Sequence, residues 1–169
     1  PADAPMNLRN LFRRNTFEHG VHPQEHKELT SALPIRRLPF APQLILPLSQ
    51  HAGAPAVPLV KPGQEVVRGE PVARADGFVS VPMHAPATGR VEAIQLMPSA
   101  RGPKTPSMLL HVYEGSGQEV LYGSMRDVQR MTPEEIMQAV QDAGMVGLGG
   151  AAFPTHVKMK PPPEHTVDT

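Results

Sequence analysis

Between Gly144 and Lys158 the chain reads Gly144-Met145-Val146-Gly147-Leu148-Gly149-Gly150-Ala151-Ala152-Phe153-Pro154-Thr155-His156-Val157-Lys158. Four glycines and two alanines fall within nine residues. Such a backbone can pass close to a ligand and take up positive φ, so that successive N–H groups converge. The chemistry this permits is anion binding. Pro154-Thr155 can open a helix whose first amides and dipole add attraction for a phosphate, and Lys158, one turn along, adds a mobile positive charge. Taken alone, the glycines also suit a flexible connection between two packed helices.

Other candidates carry less. His19, His22 and His26 have the three- and four-residue spacing that puts imidazoles on one helical face, but Pro23 interrupts that helix, and a polar surface segment is the better reading. His51 and His84 are read as turn-stabilising residues, and no metal ligands are assigned. No Ser/His/Asp or paired-carboxylate set has supporting context, so hydrolysis is not expected. The chain has no cysteine, so it cannot supply thiolates to zinc or to an iron–sulfur cluster.

The glycine segment needs elements to hold it. Thr132 is a good N-cap, Pro133 suits the first helical position and Glu135 completes a capping box. Ile136, Ala139, Val140 and Ala143 recur at helical spacing, and Gly144 is the expected stop. Upstream, apolar runs alternate with turn residues, predicting strands over 43–48, 56–60, 65–67, 71–75, 79–81, 89–96 and 108–113. Lys61-Pro62-Gly63-Gln64 and Ala75-Asp76-Gly77 supply turns between them. His51-Ala52 is echoed by His84-Ala85, which suggests two similar hairpin-like halves.

Before this β-rich part, residues 1–34 form a polar arm in which Leu8, Leu11 and Phe12 make a short amphipathic patch. An arm docked on its own domain or on a neighbour is expected there. The domains read as an arm over 1–34, a β module over 35–125 and the start of another domain over 126–169. With 21 prolines and 14 glycines but only 4% aromatic residues, short strands and many turns are favoured over a helical bundle. Sixteen basic residues balance sixteen acidic ones, which removes any general attraction to nucleic acid. No apolar run approaches the roughly 18 residues of a spanning helix, and Pro1 to Arg14 lacks the apolar middle of a signal peptide. A cytoplasmic face or the cytosol is expected, with membrane association through a partner.

Lys61-Pro62-Gly63-Gln64-Glu65-Val66-Val67-Arg68-Gly69-Glu70-Pro71-Val72, followed by His84-Ala85-Pro86-Ala87-Thr88-Gly89-Arg90-Val91, resembles the paired hairpins of biotinyl and lipoyl carrier domains. That resemblance implies a barrel-sandwich hybrid. A carrier presents its modified lysine on an exposed hairpin tip, and residues 73–84 contain no lysine. The fold is therefore expected without the carrier function.

The capped helix, the glycine loop, Phe153-Pro154-Thr155 and Lys158 resemble the flavin-binding segment of the NADH-binding flavoprotein of respiratory complex I. They resemble the RnfC protein of the Rnf electron-transport complex more closely. His19-Gly20-Val21-His22-Pro23 with Glu25-His26-Lys27, and Pro47-Leu48-Ser49-Gln50-His51-Ala52-Gly53-Ala54-Pro55-Ala56, also resemble RnfC, so the likeness runs from about His19 to Lys158. The fold class this implies is α+β, an all-β biotinyl/lipoyl-like barrel-sandwich hybrid followed by the helical start of a Rossmann-like FMN/NADH-binding domain.

The resemblance implies FMN contacts at Gly147, Gly149, Gly150, Ala151 and Lys158, and no catalytic residue is assigned. It implies NADH oxidation through FMN to 4Fe-4S clusters held elsewhere, coupled to ferredoxin and to ion movement. The implied place is peripheral, on the cytoplasmic side of the bacterial inner membrane, among the other subunits of the complex. Two positions depart from the pattern. Ala152 stands where the family usually has glycine, implying a tighter loop or a weaker flavin site, and Leu148 replaces an arginine of the complex I relative. Residues 161–169 read as a linker before the family's remaining segments, so this stretch alone is expected to be inactive. The alternatives are a non-catalytic biotinyl-like scaffold or binding module, and the related NqrA component of a sodium-translocating NADH:quinone reductase, which shares the β part but is disfavoured by the glycine loop.

Overall fold

Short apolar runs broken by Pro and Gly become seven strands: β1 (Gln43–Pro47), β2 (Val57–Pro58), β3 (Glu65–Val66), β4 (Pro71–Arg74), β5 (Met83–His84), β6 (Gly89–Ser99) and β7 (Gly102–Val112). The computed structural model describes residues 24, 26–36, 38–100 and 102–160. The chain divides between Leu38 and Pro39 into two compact units. In the first, the Thr30 and Ser31 amides donate to the Lys27 carbonyl, closing a turn. The amphipathic patch Leu8, Leu11 and Phe12, the histidines His19 and His22, and the linker over 161–169 lie outside the described residues.

In the second unit the strands form two antiparallel sheets, ordered β1-β7-β6-β3 and β2-β4-β5. Alternation along the strands sends one face of each sheet inward. Val91 on β6, Met108, Leu110 and Val112 on β7, Leu46 on β1, Val66 on β3 and Val72 on β4 meet in one core, completed by Val60, Ala85 and Ala87. These are aliphatic side chains, and the core contains no aromatic ring, so the two sheets close tightly on small residues. At the periphery, the Glu65 carboxylate accepts the Tyr113 hydroxyl at 2.7 Å and thereby raises the phenol's pKa.

Two strand expectations shift. The hairpin β6–β7 is longer than the sequence pattern predicts, because beyond Ser107 it continues as a ribbon in which Leu96 pairs with Pro106 and Met97 with Thr105. Prolines are tolerated there because a ribbon edge does not need every N–H. Residues 79–81 form no strand. The Val79 carbonyl accepts the Ala54 amide at 3.1 Å, and the Ser80 hydroxyl donates to the Ala54 carbonyl at 2.9 Å. Buried His51 ties the same place together, its Nε2–H reaching the Ala54 carbonyl at 2.9 Å and the Ser80 hydroxyl at 3.2 Å. With its polar groups committed to side chains and a loop, the segment cannot join a ladder, and pairing resumes past Pro82 at β5.

After a 3-10 turn (Val128–Arg130) comes helix α1 (Pro133–Asp142). Its start follows the expected chemistry: the Thr132 hydroxyl accepts the Glu135 amide at 3.2 Å, and the Glu135 carboxylate accepts the Thr132 amide at 2.8 Å. It ends where Gly144, at φ +69°, turns the chain left-handed.

Leu110 is 1% exposed at the centre of the core, and Leu110→Ala is expected to cost about 2–5 kcal/mol in urea unfolding, with the β signal lost in one transition. The capping box is exposed and local, so Thr132→Ala should cost about 1 kcal/mol, read as faster amide exchange in α1 while β6 and β7 keep their protection.

Candidate functional site

The glycine segment forms a closed loop with a stem. Val146 and Pro154 make an antiparallel bridge, the Gly147 amide donates to the Phe153 carbonyl at 2.9 Å, and the Thr155 amide donates to the Met145 carbonyl at 3.0 Å. Out of this stem leads α2 (Thr155–Lys158), a single turn. The tip is open to solvent: Leu148 is fully exposed, and a Cβ added to Gly149 or Gly150 would meet nothing within 4 Å.

Of the residues singled out in the sequence, Gly147 and Lys158 are brought together. A Cβ on Gly147 would lie 2.9 Å from the Lys158 ammonium nitrogen, so only glycine leaves that nitrogen its place. The same ammonium stands 5.8 Å from the centroid of the Phe153 ring. Gly149, Gly150 and Ala151 follow at the exposed tip. Among the described residues the Gly149 and Gly150 amides make no backbone hydrogen bond, which leaves two N–H groups for an anion.

The helix contributes less than the sequence suggested. α2 has four residues, Pro154 at its N-cap has no N–H, and the first amide, Thr155, is already spent on Met145. A one-turn helix sums few peptide dipoles. Attraction for an anion therefore rests on Lys158 and the loop amides. Ala152 sits at φ +47°, a region where a Cβ costs about 1–2 kcal/mol, and this is the physical reason a glycine suits that position.

Sequence reasoning missed His156. It lies on the opposite face of α2 from Lys158, is 2% exposed, and its Nε2 donates to the Phe78 carbonyl at 2.6 Å. A carbonyl only accepts, so Nε2 carries the proton and Nδ1 is left as a buried acceptor without a partner among the described residues. The Phe78 ring meets the imidazole edge-on at 5.3 Å, and Lys160 stands 5.3 Å above that ring. The only hint in the sequence is a histidine inside the turn that Pro154 opens, since Phe78 lies far away in the chain.

Phe78 belongs to the turn between β4 and β5, where a carrier domain of this fold would present its lysine. Here the carbonyls of that turn are taken: Gln141 of α1 donates to Ser80 at 3.1 Å and to Gly77 at 3.4 Å, beside the His156 bond. A tip gripped by two helices cannot swing. The groove behind it, about 370 Å³, is lined by His51, Val81, Pro82, His84, Ala143 and Gly144 among others, and marks the seam between the β module and the helices.

Comparison with known proteins agrees with this architecture. Residues 15–113 match the family model described as the RnfC barrel sandwich hybrid domain. The chain is 40% identical over 162 residues to the RnfC-type component of the Na(+)-translocating ferredoxin:NAD(+) oxidoreductase complex of Acetobacterium woodii, covering 92% of this chain and 35% of that protein. It is 35% identical over 155 residues to the corresponding component of the proton-translocating ferredoxin:NAD(+) oxidoreductase complex of Clostridium ljungdahlii, covering 90% and 34%. It is 36% identical over 160 residues to the corresponding component of the ion-translocating oxidoreductase complex of Citrobacter koseri, covering 92% and 22%. The chain thus spans about a third or less of the length of these relatives. With its two curled sheets, its unmodifiable hairpin tip and these matches, the chain belongs to the RnfC family, whose barrel-sandwich hybrid domain it carries.

Proposed function

We propose that the chain is part of an NADH-oxidising peripheral subunit of a membrane-bound, ion-translocating ferredoxin:NAD oxidoreductase complex. Residues 126–169 begin its FMN/NADH-binding domain, after an arm over 1–34 and the β module over 35–125. The observation that carries this reading is the pairing of Gly147 with Lys158 at the base of a loop whose next amides are free. That donor set fits the phosphate of FMN. Lys158 would pair with it, Gly149 and Gly150 would donate backbone N–H groups, and Gly147 and Ala151 would let the ligand approach the backbone. Bound flavin supplies the chemistry of accepting a hydride and releasing single electrons.

Two features support a larger domain around this loop. α1 buries none of its residues, and Ile136, Ala139, Val140 and Met145 line an apolar groove of about 190 Å³. An apolar stripe left uncovered suits a helix that opens a domain continued in the longer relatives. The chain has no cysteine, so the 4Fe-4S clusters of this reading take their thiolates from elsewhere in the complex. Among the described residues no helix is long and apolar enough to cross a membrane, which suits a peripheral place held by the other subunits on the cytoplasmic side of the inner membrane. NADH and ferredoxin are the redox partners of this reading, in keeping with the names of the relatives.

Titration of FMN against this chain, and against a chain extended by the downstream part of the longer relatives, checks the proposal by flavin fluorescence. Saturable binding is expected in the extended chain. Gly150→Asp, which sets a carboxylate in the anion site, should abolish it, and Lys158→Ala should weaken it about 10- to 100-fold, the usual worth of a charge-assisted hydrogen bond. Absence of flavin binding in the extended chain would overturn the redox reading and leave the alternative, a non-catalytic scaffold module.

A further inference from the structure

α2 has a single turn, so residues two apart on it face nearly opposite ways. His156 faces the protein and is buried, while Lys158 faces out, with its ammonium beside Gly147 and Phe153. Orienting one of these side chains orients the other. A four-residue helix cannot hold itself in place by its own hydrogen bonds, so its direction must be set by what it touches. It touches the β4–β5 turn through the 2.6 Å bond from His156 Nε2 to the Phe78 carbonyl and through the edge-on ring contact. α1, on the other side of the loop, holds the same turn through Gln141. The loop itself is tied down at Ala152, whose carbonyl accepts the Ala52 amide at 3.2 Å. Both helices flanking the glycine loop therefore take their bearings from one turn of the β module.

We infer that His156 is a positioning residue for the anion-binding loop. By donating to the Phe78 carbonyl it turns α2 so that Lys158 reaches over Gly147, and the β4–β5 turn is the seat on which the loop is aimed. The inference takes its ligand, the phosphate of FMN, from the function proposed above, on which it rests in that respect. The geometry of the seat stands without the ligand. The turn that a carrier domain uses to move a cofactor is used here to hold a binding loop still.

Two measurements separate the seat from the ligand. Amide hydrogen exchange in this chain reads the seat, at Gly147 and Thr155, whose N–H groups close the loop stem. FMN titration in the extended chain reads its consequence. His156→Ala should speed exchange at Gly147 and Thr155 about tenfold or more, with Leu110 and Val112 in the core unchanged, and should weaken FMN binding about tenfold. His156→Gln, whose side-chain amide can donate to the same carbonyl, should restore most of both effects. In a Lys158→Ala background, His156→Ala should weaken binding far less than it does alone, because its effect is exerted through that lysine.

Unchanged exchange at Gly147 and Thr155 in His156→Ala would overturn the inference. So would equal losses of FMN affinity with and without Lys158. If the alanine variant loses protection in the core as well, His156→Gln decides: a parent-like loop upholds the seat, and a loosened loop over an intact core refutes it. Should the parent extended chain bind no FMN, the flavin reading fails, and the exchange data still decide the role of His156.

Discussion

The turn between β4 and β5 leaves carbonyl oxygens at Gly77, Phe78 and Ser80 that no strand ladder satisfies, and the donors that reach them come from Gln141 and His156 in the two helices. A buried polar group without a partner costs about 1–3 kcal/mol, so the turn and the helices are each incomplete alone. The same constraint explains why residues 79–81 leave the sheet. Their polar groups are shared between His51, Ala54 and Gln141, and a strand there would need them for its ladder. Close approach enforces the fit at the other end of α1, where a Cβ on Gly144 would lie 2.8 Å from the Pro82 carbonyl oxygen.

The β core makes a stable base for this arrangement by being small and dry. Ala73, Ala85 and Ala87 are almost wholly buried beside valines and leucines, so the sheets approach closely and few large side chains are needed. That is how a chain with 4% aromatic residues closes a core. Prolines stand where a missing N–H does no harm, at the end of β2 and at the start of β4.

Much of the fold was legible in the sequence because its signals are local. Thr132, Pro133, Glu135 and Gly144 specify the start and stop of α1 through bonds no more than a few residues long, and they act in the structure as the pattern dictates. The β-rich reading and the family resemblance rest on alternation and on motif order, and the two sheets and the match to the RnfC barrel-sandwich hybrid domain agree with both. What local pattern could not reveal was anything fixed by distant partners. The ribbon beyond Ser107 depends on cross-strand pairing, the strand expected over 79–81 is lost to His51, and His156 acquires its role only through Phe78, 78 residues away.

The site was legible in its residue types and less so in its physics. Glycines and a lysine in that order suggest a phosphate cradle, and the fold does bring Gly147 and Lys158 together. The helix dipole invoked from Pro154-Thr155 contributes little, because α2 is one turn long and its first amide is bonded to Met145. A site that relies on a helix terminus tolerates loose side chains, since many amides share the attraction. A site that relies on one ammonium and two loop amides does not, because a charge moved by a few ångströms loses most of its hydrogen-bond energy. The loop also contains Ala152 in a left-handed conformation that opposes its shape. Orientation must therefore be imposed from outside the loop, and the part of the chain rigid enough to impose it is the barrel-sandwich hybrid.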